Sequence, residues 1–389
     1  MDLAALALSV ITFVLQCLVI FAVSTLLFDV LHYLLHRWKR SRFRILRLFS
    51  TWHWVHHRFL TLEMKVDPAY QWKNVWFHII PEYATSILGT LPFLLIFPLE
   101  AVATVIVVRT IFFVVTFFQE GMDIHHMTMD RIDGRQNLLW VGPDYHAMHH
   151  IYPNNYFSSF FNILDLVMGK SCQIAGRRVL VTGASGAFGS AMIDLLEREG
   201  AIIETAKSGV DFRPGDISGM RDKLQRADIL LLAHGAKSEG CMEANCTSFV
   251  SLIDTFREMG RGRLTPPEVW AVGSEAELHG DLGMASMRDY AASKRAFARY
   301  ARGYYNSPDL FYRHIVPSAF TSRMGRGPIS AKTAARIALF FIKRNFRYVP
   351  VTVTTLAYWN YFRFLLQPAP ETARQNGAAV ADAPKPTQI

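Results

Sequence analysis

Between Leu3 and Leu35 the sequence is almost unbroken Leu, Ala, Val, Ile and Phe. Such a run exceeds the roughly 20 residues a helix needs to cross a bilayer, so part of this chain folds in lipid, where a helix satisfies its own backbone. A secretory signal is the competing reading. It lacks a basic segment ahead of the apolar core and a small-residue cleavage site, and His32 and His36 stand at its end. A second apolar stretch, 77–118, is twice the length of one span and is broken at Pro92 and Pro98. It predicts a helical hairpin, with crossings near 77–97 and 99–119 in addition to the one near 3–35. Arg37, Lys39, Arg40, Arg42, Arg44 and Arg47 crowd the end of the first run, the signature of a cytoplasmic loop. Three crossings then place 36–76 and everything after about residue 119 in the cytoplasm, which predicts an integral, multi-pass protein with its catalytic parts on that side.

The net charge of +9 is concentrated in that loop, with no groove-lining pattern for nucleic acid. The four cysteines show no CxxC spacing and one lies inside an apolar run, so they suggest neither a thiolate metal site nor a disulfide framework.

Near Gly169 the texture changes. Arg177-Arg178 leads into Val-Leu-Val-Thr-Gly-Ala-Ser-Gly-Ala-Phe-Gly, a short buried strand followed by a glycine turn. Short apolar strands at 201–204, 228–233, 269–272 and 310–316 then alternate with helical stretches, the rhythm of a parallel α/β sheet. The expected organisation is a helical membrane domain over 1–170 and an α/β domain over 176–330. An amphipathic segment follows over 331–366, suited either to the membrane interface or to closing the α/β core. A Pro- and Ala-rich tail, 367–389, is expected to be disordered.

Eleven of the fourteen histidines lie in the first 150 residues, most of them in three boxes: His32-x3-His36, His53-x2-His56-His57 and His146-x2-His149-His150. A spacing of four puts two imidazoles on one helix face, and HxxHH brings three rings together from a turn and a half. Alone, each would be an ordinary surface or hydrogen-bonded core residue; together they predict a polynuclear metal site. Imidazole suits zinc, iron, copper and nickel, and this many histidines without cysteine exceed a single zinc site, so two metals are implied. His78 stands alone at a helix entrance and reads as structural.

These boxes resemble those of the fatty-acid hydroxylase superfamily, which includes sterol desaturases, over roughly residues 20–170. Asn155-Tyr156, Asp165 and Gly169 look like the conserved segment after the last box, with Phe157 and Leu164 departing from it. Glu120-x2-Asp123-x-His125-His126 is similar to the family's additional histidine motif, and leaves open whether His125 or His126 binds. The resemblance implies two iron ions held by His32, His36, His53, His56, His57, His125 or His126, His146, His149 and His150. It also implies O2-dependent hydroxylation or desaturation of a sterol-like or long-chain lipid.

Downstream, Gly183, Ser185, Gly186 and Gly189 form a glycine turn between a strand and a helix, where backbone amides meet a pyrophosphate. About a hundred residues later stands Tyr290-Ala-Ala-Ser-Lys294. A lysine one turn after a tyrosine lowers the phenol's pKa and makes it a general acid or base. Ser274 is the candidate to polarise a substrate oxygen beside it. The pairing resembles the short-chain dehydrogenase/reductase family over about 176–330, with Asn245 as its helix asparagine, Asp216 as the adenine-contacting aspartate after the third strand, and Pro317-x3-Thr321 beside the nicotinamide. Lys207, where an acidic residue would mark NAD(H), favours NADP(H).

The sequence therefore predicts a multi-domain fold, a transmembrane histidine-box di-iron domain joined to a Rossmann-like dehydrogenase domain, and a bifunctional lipid oxidoreductase. The rival readings are a wax-type aldehyde-processing enzyme and an active dehydrogenase with a non-catalytic membrane anchor. Iron takes electrons singly whereas NADPH gives a hydride, so an external ferredoxin-like or cytochrome-like donor is implied, with the basic loop as its docking surface.

Overall fold

The computed structural model describes residues 2–213, 215–237 and 239–370. The expected tail falls, from residue 371 on, outside them. The chain divides into two compact units, one of residues 1–130 and 136–171, the other of 131–135 and 172–389.

The first unit is helical. Leu3–Trp38 is a single helix exposing Leu3, Leu8, Val10, Ile11 and Leu15 around its circumference, as a lipid-facing helix does. Leu99–Phe118 is the other helix long and apolar enough to cross a bilayer among the described residues. The expected middle crossing is composite: a π-helical stretch Val75–Ile79, an α-helix Ile80–Thr90 and a 3-10 turn Leu91–Leu95. Pro81 and Pro92, which bring no N–H to the helical ladder, sit at the two junctions. The basic loop leads into the helix Arg44–Phe59, which carries the second histidine box; Pro143–Ile151 carries the third.

The second unit is a six-stranded parallel sheet of order β2-β1-β3-β4-β5-β8, a doubly wound Rossmann-like arrangement. Its strands are β1 (Arg178–Thr182), β2 (Ile202–Ala206), β3 (Ile229–Leu232), β4 (Glu268–Val272), β5 (Phe311–Pro317) and β8 (Tyr348–Val351). Two short strands, β6 (Phe320–Thr321) and β7 (Ile329–Ser330), pair with each other outside it. The central strands are buried along their length, as expected of a sheet covered on both faces.

This unit reaches past the expected boundary at 330. The helix Ala331–Ile342 buries Ala334, Ala335, Ala338, Leu339 and Ile342 against Phe188, Met192 and Leu196. β8 completes the sheet beside β5, and Leu356–Leu366 buries Ala357 and Phe364 in the opposite core. The segment 331–366 closes the α/β core; its small alanine face fits a helix close to its neighbour.

Candidate metal centre and nucleotide site

Nine of the ten candidate histidine ligands fall into two groups, His32, His36, His53, His57 and His149 in one, His56, His126, His146 and His150 in the other. Within each group one ligand atom per residue lies within 4.8 Å of all the others. His53 Nε2 is 2.8 Å and His57 Nε2 3.3 Å from His36 Nε2. Two imidazole nitrogens bound at about 2.0–2.1 Å to one cation come to rest at about 3.0–3.4 Å from each other, so this spacing fits shared ligation.

Hydrogen bonding selects the nitrogen that faces inward. Nδ1 of His32 donates to the Phe157 carbonyl (3.0 Å), of His56 to Asn74 Oδ1 (3.2 Å), of His126 to Asp123 Oδ1 (2.8 Å), of His149 to the Asn155 carbonyl (2.8 Å) and of His150 to the Leu60 carbonyl (3.0 Å). With Nδ1 committed, the lone pair resides on Nε2. Nε2 of His32, His56, His126, His146, His149 and His150 is buried without a hydrogen-bond partner among the described residues. Buried polar atoms are rarely left so, and six aimed into two clusters fit cations that complete them.

Burial, reinforced by neighbouring rings, holds His53, His56, His57, His146 and His149 well below the usual imidazole range and His150 at about 3. They are neutral imidazoles at physiological pH. Burial alone would lower His126 too, but the adjoining Asp123 carboxylate outweighs it and raises that ring.

Tyr156 takes a left-handed backbone (φ 61°), and the carbonyls on either side of it, Asn155 and Phe157, are the ones that orient His149 and His32. The main chain performs this task, which is why a phenylalanine at 157 is compatible with it. Asp165 supports the same segment, accepting from the Ser158 amide (2.8 Å) and the Tyr145 hydroxyl (2.9 Å).

Two histidines fall elsewhere than expected. His125 lies outside both groups, its ring 4.9 Å from that of Phe160. His78 is no isolated structural residue: its ring stacks at 3.9 Å on His56, and its Nε2 meets Glu82 at 3.2 Å. The carboxylate at i+4 in an otherwise apolar stretch was the signal for it.

In the second unit the glycine turn is dictated by close packing. Gly183 has φ +73°, and a side chain there would strike the Ala233 carbonyl carbon at 2.5 Å; one at Gly189 would strike the Gly183 oxygen at 2.2 Å. Gly186 caps the helix Ala187–Arg198, leaving its first amides for a phosphate, with Ser185 exposed in the turn. Lys207 follows the tip of β2 and is exposed. The nearby Asp211 is engaged by the Lys207 amide (2.7 Å) and by Lys223 (2.9 Å). Asp216 follows the second strand, not the third: the stretch around it forms bridges and turns, and its carboxylate accepts from Ser218. Thr321 lies in β6, its hydroxyl donating to the Gly327 carbonyl.

The Ser274 side chain lies beside Tyr290 and favours the ionised phenol. The Ser274 amide donates to Glu277 Oε1 (2.8 Å), whose other oxygen is 3.0 Å from His314 Nε2. Asn245 is fully buried, holding Ala236 through both its amide atoms and donating to Ser293 at 3.0 Å. Lys294 departs from the expected pairing. Its ammonium donates to the Val272 carbonyl at 2.8 Å, and burial lowers it to about 8 despite the nearby Glu277. Burial pushes the Tyr290 phenol up, with the Ser274 side chain opposing. His234 bridges Thr182 (2.7 Å) and Ser248 (2.9 Å) as a neutral ring held at about 3 by burial.

Comparison with known proteins agrees with this division. Residues 17–170 match the fatty acid hydroxylase family model. A monoglucosyldiacylglycerol epimerase of Synechocystis sp. is 25% identical over 379 residues, covering 85% of this chain and 89% of that protein. Among solved structures, a short-chain dehydrogenase from Burkholderia cenocepacia in complex with NADP is 16% identical, with a TM-score of 0.41 over 54% of this chain and 99% of its own. One from Sphingobium yanoikuyae in complex with NADPH is 17% identical, with a TM-score of 0.39 over 55% of this chain and 98% of its own.

Proposed function

We propose that this chain is a multi-pass membrane lipid oxidoreductase with two catalytic modules facing the cytoplasm. The histidine unit holds two iron ions, one per group, and the α/β unit binds NADP(H). The convergence of six unpartnered Nε2 atoms, five of them opposite an anchored Nδ1, carries this reading. Bound iron supplies the one-electron chemistry with O2 that hydroxylates or desaturates a C–H bond. The protein's own part is to hold neutral imidazoles in fixed tautomers and to present an apolar cavity beside them. Electrons come from an external ferredoxin-like or cytochrome-like donor docking on Arg37, Lys39, Arg40, Arg42, Arg44 and Arg47, all exposed.

In the second module the Gly183–Gly189 turn binds the pyrophosphate and Lys207 the 2′-phosphate. Ser274 positions a substrate oxygen and Tyr290 exchanges its proton as hydride moves between the nicotinamide and the alcohol carbon. Asn245 fixes the backbone that borders this site. The name of the Synechocystis relative favours a second outcome for the same residues: an alcohol carbon of a lipid headgroup is oxidised and re-reduced from its other face, inverting it without net consumption of NADP(H).

Membranes containing the protein, supplied with 18O2, NADPH and a ferredoxin couple, separate these outcomes. Hydroxylation gives 18O-labelled lipid, absent when His149 and His150 are alanine. Epimerisation gives an isomeric lipid of unchanged mass that depends on Tyr290. The absence of both products would refute the proposal.

A further inference from the structure

A cavity of about 190 Å³ opens beside the second histidine group. Phe28, Phe112, Phe113, Val115 and Phe160 line much of it, as befits a hydrocarbon, but its far end is polar. There Arg109 projects from the middle of the apolar helix Leu99–Phe118, only 8% exposed. A guanidinium at that depth costs several kcal/mol unless it is used or fully paired. It is not fully paired. Nη2 donates to Ser24 Oγ (2.7 Å), Thr25 Oγ1 (3.1 Å) and the Phe21 carbonyl (3.3 Å), while Nε is buried with no partner among the described residues.

Glu82 and Ser86 line the same cavity. With His78 they stand four residues apart in succession, about 6 and 12 Å along the helix from that histidine. Geometry decides what the polar end accepts. Nη2, which the forked grip of a guanidinium on a carboxylate or phosphate needs, already serves three oxygens, and the buried Nε is left as a single donor suited to one hydroxyl or carbonyl oxygen.

We propose that Arg109, with Glu82 and Ser86, is a binding site for an uncharged oxygen of the lipid substrate, a hydroxyl or carbonyl. The carbon presented to the histidines then lies near the lipid's oxygenated end and not far along a saturated chain. This rests on reading the histidine unit as a lipid-oxidising site.

The test uses the full chain in lipid nanodiscs and a hexadecanol analogue with a photoactivatable diazirine near its hydroxyl; labelled peptides are mapped by mass spectrometry. Labelling of the cavity helices is expected, displaced by unlabelled hexadecanol at about tenfold lower concentration than by hexadecane or hexadecanoate, the worth of one buried hydrogen bond. In R109Q that preference disappears. The competition in the unaltered chain decides the matter even if the variant fails to fold. Equal displacement by hexadecane, or best displacement by hexadecanoate, overturns the proposal. Iron is measured on the same sample. Iron present without an alcohol preference sinks the oxygen site alone; an alcohol preference without iron upholds the oxygen site and removes the oxidative reading.

Discussion

His36 and His53 direct the same nitrogen, Nε2, at each other across 2.8 Å. They come from different helices and lie 17 residues apart in sequence; one N–H···N hydrogen bond would explain this pair alone, but a shared cation also explains why His32, His57 and His149 converge on it.

The residues that fix the tautomers are expected to matter nearly as much as the ligands. In N74A, His56 Nδ1 loses its acceptor at 3.2 Å, and metal in the His56, His126, His146 and His150 group is expected to bind about 10–100-fold more weakly. A chelator titration followed by metal analysis checks this: one equivalent leaves early and the other does not. H125A, outside both groups, leaves both equivalents in place.

Tyr290 and Lys294 set the pH dependence of the dehydrogenase step. With the lysine at about 8, it is an ammonium below that pH and neutral above it. Carbonyl reduction, which draws a proton from this site, is expected to fall as pH rises through about 8. Y290F is expected to lower turnover by about 10²-fold or more while the protein still binds NADPH. Initial rates against pH, beside NADPH fluorescence titration, separate the two effects.

Glu268 tests the packing of the α/β unit. Its buried carboxylate contacts Arg177 and accepts from Arg313 Nε (2.8 Å) and Trp270 Nε1 (2.8 Å). Burial opposes its ionisation, but the two guanidinium groups prevail and lower it to about 2. A carboxylate lowered by folding stabilises above its unfolded pKa, so on the order of 3 kcal/mol is lost as pH falls from about 4.5 to about 2. E268Q, which strands two buried cations, is expected to cost about 3–5 kcal/mol at neutral pH. Thermal unfolding followed by circular dichroism measures both.

What the sequence revealed follows from how signals are written along a chain. Box spacings record helix geometry, so the side-chain sets around His53 and His149 were legible. So was the strand–glycine–helix passage at Thr182–Gly189, where no larger residue fits. Contacts between distant segments leave no such trace. His78 joins the cluster only because a π-helical stretch turns it toward His56, and His125 and His126 are adjacent letters with opposite surroundings. Lys294 stands one helical turn after Tyr290, but the Val272 carbonyl that receives its ammonium comes from β4, a contact the local spacing does not record. Asp216 was misplaced by counting a strand that this chain replaces with turns. The amphipathic face of 331–342 reads equally as interface or core until the sheet helix that covers it is known.

The most direct test of two histidine-bound metals is metal analysis of the detergent-purified chain beside a variant with His149 and His150 changed to alanine, one residue from each group. The account predicts about two irons per chain in the parent and loss of both in the variant. An iron-free parent, or a variant that keeps its iron, would contradict it.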